Sequence, residues 1–338
     1  MSLQKKHQCV SCKGENQNIL TRKDNYSYYK CSHCSLVSAI PLPSDSEINE
    51  YYNGFLFKKP TEDEINDRKN EIRDDVTLIV NDIKRFNNSI DVSFLDFGGG
   101  TGYYSEAFHA HGYEVTLLDL DPQACDYVRE NFPQLNVICD NPMKNKLNEK
   151  FDIVFCNQVI EHCTDPHKLL STLRELLNDD GILITTTPNQ QCKEYWFRYI
   201  WVWDYVKLTS DQFFTRTKNT FKLFSNSWLC CDPPRHIYSF NKKNLANLHH
   251  ENNLEVISMF TEYVISQNYS LKQHNDFSIK RFRSVLKLVN NLYIVIGIRF
   301  LRLLDFKNNW GNNLVVFSKR SNVICNSPTY VHCFRVEM

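Results

Sequence analysis

The sequence predicts a doubly wound α/β domain preceded by a small cysteine-clamped module, and three features carry that expectation. Short apolar runs alternate with stretches of helical period between residues 92 and 186. A glycine-rich turn follows the first of those runs, where a strand passes into a helix. Ahead of them stand two Cys-x-x-Cys pairs with eighteen residues between them.

The bulk properties agree with such a chain and exclude some roles. With 338 residues, 42% of them apolar, it can bury a sizeable core beside a smaller module. Its 39 basic and 39 acidic residues cancel, so no global field draws it onto nucleic acid, and no nucleic-acid partner is expected. The opening residues lack the apolar core of a secretory signal, and no apolar run approaches the ~20 residues of a membrane span. A cytoplasmic protein is expected, with peripheral membrane contact at most. Its thirteen cysteines then read as reduced thiols and metal ligands.

The first module is residues 1–43. Cys9, Cys12, Cys31 and Cys34 form the two pairs, a spacing suited to one four-thiolate zinc ion. Each pair sits on a tight turn, so two sulfurs from one short loop reach one ion, and two facing turns complete a tetrahedron. Strand-prone residues around the turn at 23–25 predict a β-hairpin between the pairs, which makes the module a zinc ribbon. With four protein ligands the zinc has no open position, so its role is structural. His33 lies inside the second turn as a spectator.

Residues 44–61, with acids, Asn and Gly among four aromatic rings, read as a linker. The main domain is then 62–320. Ile65, Ile72, Val76, Ile79, Ile83 and Phe86 recur at helical intervals and predict an entry helix. Strands follow at 92–97, 114–118, 135–139, 151–156 and 182–186, with helices between them at 103–110 and 122–131 and from Asp165 onward. Such alternation implies a parallel sheet covered on both faces. Further strands are expected at 254–260 and 313–318, the last closing the sheet as an antiparallel edge. An amphipathic segment with Lys287, Arg299 and Arg302 covers 285–304, and 321–338 is a tail.

The glycine-rich turn is selective about its ligand. Gly98, Gly100 and Gly102 permit positive φ and leave room against the backbone. A dinucleotide turn would continue with glycine at 103, where this chain has Tyr103. Asp96 precedes the turn and suits an ammonium group better than a diphosphate. Asp119, ending the second strand, is placed for ribose hydroxyls, with Leu120 beside it, and Asp140, ending the third, for an adenine amino group. Acids at successive strand ends describe a cationic adenosine ligand.

On these residues the chain resembles the class I S-adenosylmethionine-dependent methyltransferases of small-molecule type, which include ubiquinone-biosynthesis and sugar methyltransferases. The matching stretches are Leu95-Asp-Phe-Gly-Gly-Gly-Thr-Gly102, Leu117-Leu-Asp-Leu-Asp-Pro122, Phe151-Asp-Ile-Val-Phe-Cys-Asn-Gln-Val-Ile-Glu-His162 and Gly181-Ile-Leu-Ile-Thr-Thr-Thr-Pro-Asn189. The resemblance implies a Rossmann-like seven-stranded sheet with an antiparallel last strand. It implies that the three glycines and Asp119 hold S-adenosylmethionine, with Asp140 and Asn157 near its adenine and sulfonium. It also implies a methyl acceptor at the carboxyl edge of the sheet.

Candidate bases there are His162, after the fourth strand, and His236, in Pro233-Pro-Arg-His-Ile-Tyr-Ser-Phe240; the pair could flank the acceptor, or each could brace a loop. Some quinone methyltransferases of the family hold a divalent ion on a Glu-x-x-Glu-His cluster. Gln158 replaces the first of those acids, so no catalytic metal is expected. An insertion at 190–231, dense in rings, reads as a lid over the acceptor, as the core of a helical subdomain or as a membrane-surface helix. The acceptor expected is a small molecule, a sugar or nucleotide sugar first, since zinc modules of this kind occur in the sugar C-methyltransferases it resembles. The alternatives are O-methylation of a quinone, phenol or lipid-like molecule, and a ribbon-recruited enzyme of protein or RNA or a non-catalytic cofactor-binding module.

Overall fold

The computed structural model describes residues 8–15, 17–23, 25–54, 60–87, 91–141, 143–145, 147–192, 231, 233–262, 296, 300, 303–305 and 310–321. The aromatic part of the insertion, the tail past Ser321 and most of 285–304 therefore lie outside the described residues. Of that last segment, Ile296, Phe300, Leu303 and Leu304 are helical and exposed. Among the described residues no helix is long and apolar enough to cross a membrane.

The cysteine-bearing module is a sheet. Strands β1 (Gln17–Lys23) and β2 (Tyr26–Cys31) form the expected hairpin. Strand β3 (Val37–Ile40), in a stretch that the sequence reading left unassigned, pairs with β2 and continues the sheet. Within the stretch 44–61, read from the sequence as a linker, residues Asp45–Gly54 form helix α1. Its start is a capping box: Glu47 Oε2 accepts from the Ser44 amide at 2.8 Å, and the Glu47 amide donates back to Ser44 Oγ at 3.3 Å.

Helix α2 (Glu62–Phe86) leads into the main sheet and buries Ile72, Val76, Ile79 and Ile83, as its period requires. Then come β4 (Ser93–Phe97), α3 (Tyr103–Ala110), β5 (Glu114–Asp119), α4 (Pro122–Asn131), β6 (Asn136–Cys139) and β7 (Phe151–Asn157). A single 3₁₀ turn, Ile160–His162, precedes α5 (Pro166–Glu175) and β8 (Leu177–Pro188). After the insertion the chain continues with β9 (Tyr238–Ser239), helix α6 (Lys242–Glu251), β10 (Leu254–Glu262) and β11 (Asn313–Arg320).

The main sheet has seven strands in the order β10-β11-β8-β7-β4-β5-β6. Strands β6, β5, β4, β7 and β8 run parallel, and β11 runs antiparallel to β8 and to β10. The last strand is thus antiparallel as expected, but the edge position belongs to β10. Neighbouring residues along each strand feed opposite cores. Phe94, Leu117, Ile153, Phe155 and Ile184 pack with α2, α3 and α4; Leu95, Leu118, Val154 and Leu183 pack with α5 and α6. Cys9, Cys31, Cys34 and Leu36 belong to this second core, so the cysteine module sits on the α5/α6 face.

The strand order reverses between β4 and β7, where β5 and β6 extend to one side and β8 to the other. A crevice outside the carboxyl ends of strands at such a reversal is where open α/β sheets bind ligands.

Candidate functional site

The four cysteines converge. Cys9 Sγ lies 3.5 Å from Cys34 Sγ and Cys12 Sγ 3.5 Å from Cys31 Sγ, and all four sulfurs fall within 4.8 Å of one another. A tetrahedral zinc with Zn–S bonds of about 2.3 Å needs sulfurs about 3.8 Å apart, so this donor set fits that ion. Both turns are built alike: the amide four residues after the first cysteine donates to its carbonyl, Lys13 to Cys9 and Ser35 to Cys31, each at 2.9 Å. Lys13 (φ 57°) and Ser35 (φ 63°) both take left-handed backbone to close them. Without a metal, the hydrogen bond between the facing thiols lowers the Cys9 thiol and, with burial, holds Cys34 well above the usual thiol range. His33 is exposed and takes no place among the four sulfurs.

At the carboxyl edge of the main sheet, Gly98, Gly100 and Gly102 all have positive φ. The consequence differs by position. A Cβ on Gly102 would come 2.9 Å from Val128 of α4, whereas one on Gly100 would meet nothing within 4 Å, so the turn faces open space at Gly100. Asp119 buttresses it: Oδ2 accepts from the Gly100 amide at 2.8 Å and Oδ1 from the Asp121 amide at 2.9 Å. A carboxylate with one partner per oxygen keeps acceptor capacity for hydroxyls. Burial raises the Asp119 carboxyl above its ordinary range. Leu120, 69% exposed, offers an apolar face beside it.

Asp140 follows β6, its amide donating to the Asp119 carbonyl at 3.1 Å, and its Oδ1 accepts from the Asn141 amide at 2.7 Å and Asn145 Nδ2 at 2.6 Å. Asn157 ends β7 and accepts from the Thr186 hydroxyl through its amide oxygen. Asp96 is placed differently from the others. It is 1% exposed, beneath the turn, where Ser105 Oγ donates to it at 2.6 Å and burial lifts its carboxyl to about 7. In this structure it offers almost no surface to a ligand.

The two histidines meet. His162, in the 3₁₀ turn, and His236, just before β9, have ring centroids 4.7 Å apart, a contact that leaves no room for an acceptor between them. His162 Nδ1–H donates to the Arg235 carbonyl at 3.0 Å, which orients the ring and brings Nε2 to 3.8 Å from Glu161 Oε1. Glu161 completes the cluster; in the sequence it is the second acid of the Glu-x-x-Glu-His pattern and was given no role of its own. Its side chain is 1% exposed; Oε2 accepts from Thr187 Oγ1 at 2.9 Å, while Oε1 has no hydrogen-bond partner. Burial pushes its carboxyl up to about 7.

One ligand atom from each of Glu161, His162 and His236 lies within 4.8 Å of the others, a set of two imidazoles and a carboxylate that transition metals accept. Gln158 is outside it. Its backbone is left-handed (φ 56°), and its side-chain amide donates to Asn313 Oδ1 at 2.8 Å. The glycine turn and the cluster are neighbours, since a Cβ on Gly98 would lie 2.8 Å from Val159, the residue leading into the 3₁₀ turn.

A family model described as a methyltransferase domain matches residues 64–259, more than half of the chain. The ubiquinone biosynthesis O-methyltransferase of Glaesserella parasuis is 32% identical over 111 residues, 30% of this chain and 47% of the relative. Its counterpart in Coxiella burnetii is 31% identical over 111 residues, 31% of this chain and 47% of the relative. The chain thus spans about half the length of the curated relatives it matches. Among solved structures, an S-adenosylmethionine-dependent methyltransferase from Clostridium acetobutylicum has a TM-score of 0.42 at 11% identity, covering 73% of this chain and 90% of that one.

Proposed function

The chain belongs to the methyltransferase-domain family, and from that premise we propose that it transfers a methyl group from S-adenosylmethionine to a small molecule bearing an ionisable hydroxyl or carbon acid. The observation that carries this reading is the adjacency of the open glycine turn and the Glu161–His162–His236 cluster through Gly98 and Val159.

Gly98, Gly100 and Gly102 would admit the cofactor against the backbone, Asp119 would accept its ribose hydroxyls, Leu120 would cover a face of its adenine, and Asp140 and Asn157 would lie near its adenine and sulfonium. The bound cofactor supplies an electrophilic methyl group. The protein's part is alignment and proton removal. His236 takes the acceptor's proton, and Glu161, buried and raised to about 7, stabilises the imidazolium so formed. His162, pinned to the Arg235 carbonyl, holds the loop that carries His236. Asp96 supports the turn from below rather than touching the ligand.

A quinol or phenol is the acceptor favoured by the sequence relatives. A saccharide is the second reading, supported only by the resemblance of the N-terminal cysteine module to those of sugar C-methyltransferases. Calorimetry with S-adenosylmethionine, followed by S-adenosylhomocysteine release in the presence of polyprenyl quinols or nucleotide sugars, tests both levels. Saturable binding with turnover on one acceptor class is expected. An absence of binding would sink the enzymatic reading, and binding without turnover on either class would sink both acceptors.

A further inference from the structure

The cysteine module is joined to the segment that carries His236 by more than packing. Strand β3 pairs antiparallel with β9, Val37 opposite Ser239 and Ser38 opposite Tyr238. Just ahead of that pairing, the Ala39 amide donates to the Ile237 carbonyl at 3.0 Å, and the Ile237 amide donates to the Glu161 carbonyl at 2.8 Å. Residues 235–239 are therefore strung between the module on one side and the 3₁₀ turn on the other, with His236 in that span.

A second set of bonds fixes the same segment from its far end. The three consecutive carbonyls of the second cysteine turn all accept side chains from around the insertion. His33 O accepts from Lys243 Nζ at 3.0 Å, Cys34 O from Asn241 Nδ2 and Asn244 Nδ2 at 3.3 Å each, and Ser35 O from Gln190 Nε2 at 2.9 Å. Asn241 also donates to Gln190 Oε1 at 2.8 Å. Asn241 and Asn244 are the reciprocal cap of α6, the helix that begins six residues after His236. On the first turn, Ser11 Oγ donates to the Asn244 carbonyl at 2.7 Å. Both cysteine turns thus bear on the N-terminus of α6.

We propose that the four-cysteine module is a positioning element for His236: a metal held by Cys9, Cys12, Cys31 and Cys34 sets the backbone of the two turns, and through β3 and the α6 cap that backbone holds the imidazole against Glu161. Ligated turns are stiff, and groups bonded to a ligand loop inherit its geometry. Without the metal, no bond holds the four sulfurs in one tetrahedron, so the second turn loses the constraint on the fan of carbonyls that Asn241, Asn244, Lys243 and Gln190 grip. The inference rests on the proposed function only in giving His236 a catalytic role; the mechanical link stands on the hydrogen bonds.

The test uses the full chain, zinc-loaded and stripped by chelation, at a temperature where both remain folded. Amide hydrogen exchange is the primary readout. In the stripped protein the amides of Ile237, Tyr238 and Phe240 should lose at least ten times more protection than those of β4 and β5, which follow only the lower stability of the whole chain, while the affinity for S-adenosylmethionine stays within twofold. Turnover should fall at least tenfold, in kcat rather than in KM for the cofactor, and return on adding zinc.

Because a cysteine variant can fail to fold, Asn244→Asp is the second probe. It keeps the side-chain oxygen of the α6 cap and removes the amide that grips Cys34 O. It should retain about one zinc per chain yet loosen the same amides. Equal exchange at 237–240 with and without metal, or a loss of protection there no greater than in β4 and β5, overturns the proposal. Loosened amides with undiminished turnover would remove His236 from the chemistry, and so defeat the proposed function while leaving the mechanical link standing.

Discussion

Asp119 binds the turn amides of Gly100 and Asp121 through opposite oxygens, so it serves the protein before any ligand arrives. Asp119→Ala should weaken S-adenosylmethionine binding at least tenfold by calorimetry, and Leu120→Ala, at an exposed position, should weaken binding with a stability change within about 0.5 kcal/mol. Gly100 and Gly102 separate ligand from fold. Gly102→Ala combines left-handed strain with a clash at Val128 and should cost roughly 2–5 kcal/mol by denaturant unfolding. Gly100→Ala meets only the strain, about 1–2 kcal/mol, but its methyl group enters the open space and should abolish measurable cofactor binding. Equal stability losses in the two variants would count against this division.

Glu161 makes a prediction in pH. Its carboxyl is raised from an ordinary 4.5 to about 7 by burial, so between those values the folded chain binds a proton that the unfolded chain has released. That contribution is fully present below about 4.5 and is lost as pH rises through 7. Glu161→Gln removes the buried charge, so the variant should gain stability relative to the parent above pH 7 and match its pH dependence below 4.5, while its turnover falls at least tenfold. A stability difference that is the same at pH 5 and pH 9 would show that Glu161 does not titrate in the fold as described.

At the scale of elements, what the sequence reveals depends on how local the cause is. Strands β4, β5, β7 and β8 were legible as short apolar runs because both their faces are buried, and helix α2 because burial on one face prints a period of 3.6 along the chain. Helix α1 was missed although its start is written in four residues, Ser44 to Glu47, as a capping box, because the aromatic residues that follow suggested a packed connector. Strand β3 has only four residues, and one side of it is made by β9, two hundred residues later; no local pattern encodes that pairing. The edge position of β10 is equally non-local. For the cysteine module the local signal was complete, since ligand identity and spacing define the site. Metal analysis should find about one zinc per chain, and Cys31→Ser should lower it, with a chain that holds no zinc under any loading excluding the assignment.

The same rule governs the site across the whole molecule. The sequence reading could propose the glycine turn, Asp119 and Asp140 because each stands at the end of its own strand, His162 because it follows the fourth strand, and His236 from the segment Pro233–Phe240 alone. Glu161 stood in the sequence as the second acid of the Glu-x-x-Glu-His pattern but received no role, since its importance arises from burial and from a segment seventy-five residues later that brings His236 to it. Those long-range links also determine how the molecule should unfold. The core that holds Leu95, Val154, Leu169, Leu173, Leu245 and Leu248 also contains Cys9, Cys31, Cys34 and Leu36, and β9 pairs with β3 from the far side of the insertion. An independent ribbon would melt separately and leave the main domain unchanged. A shared core makes the metal's binding energy part of the stability of the whole, because a ligand that binds only the folded state raises its stability in proportion to the logarithm of its free concentration. Scanning calorimetry of the full chain should therefore show one transition over the described domain, moving to lower temperature as free zinc is buffered downward. Two resolved transitions, with only the smaller one sensitive to zinc, would show that the module folds on its own, and the bonds from its turns to α6 would then be contacts without energetic consequence.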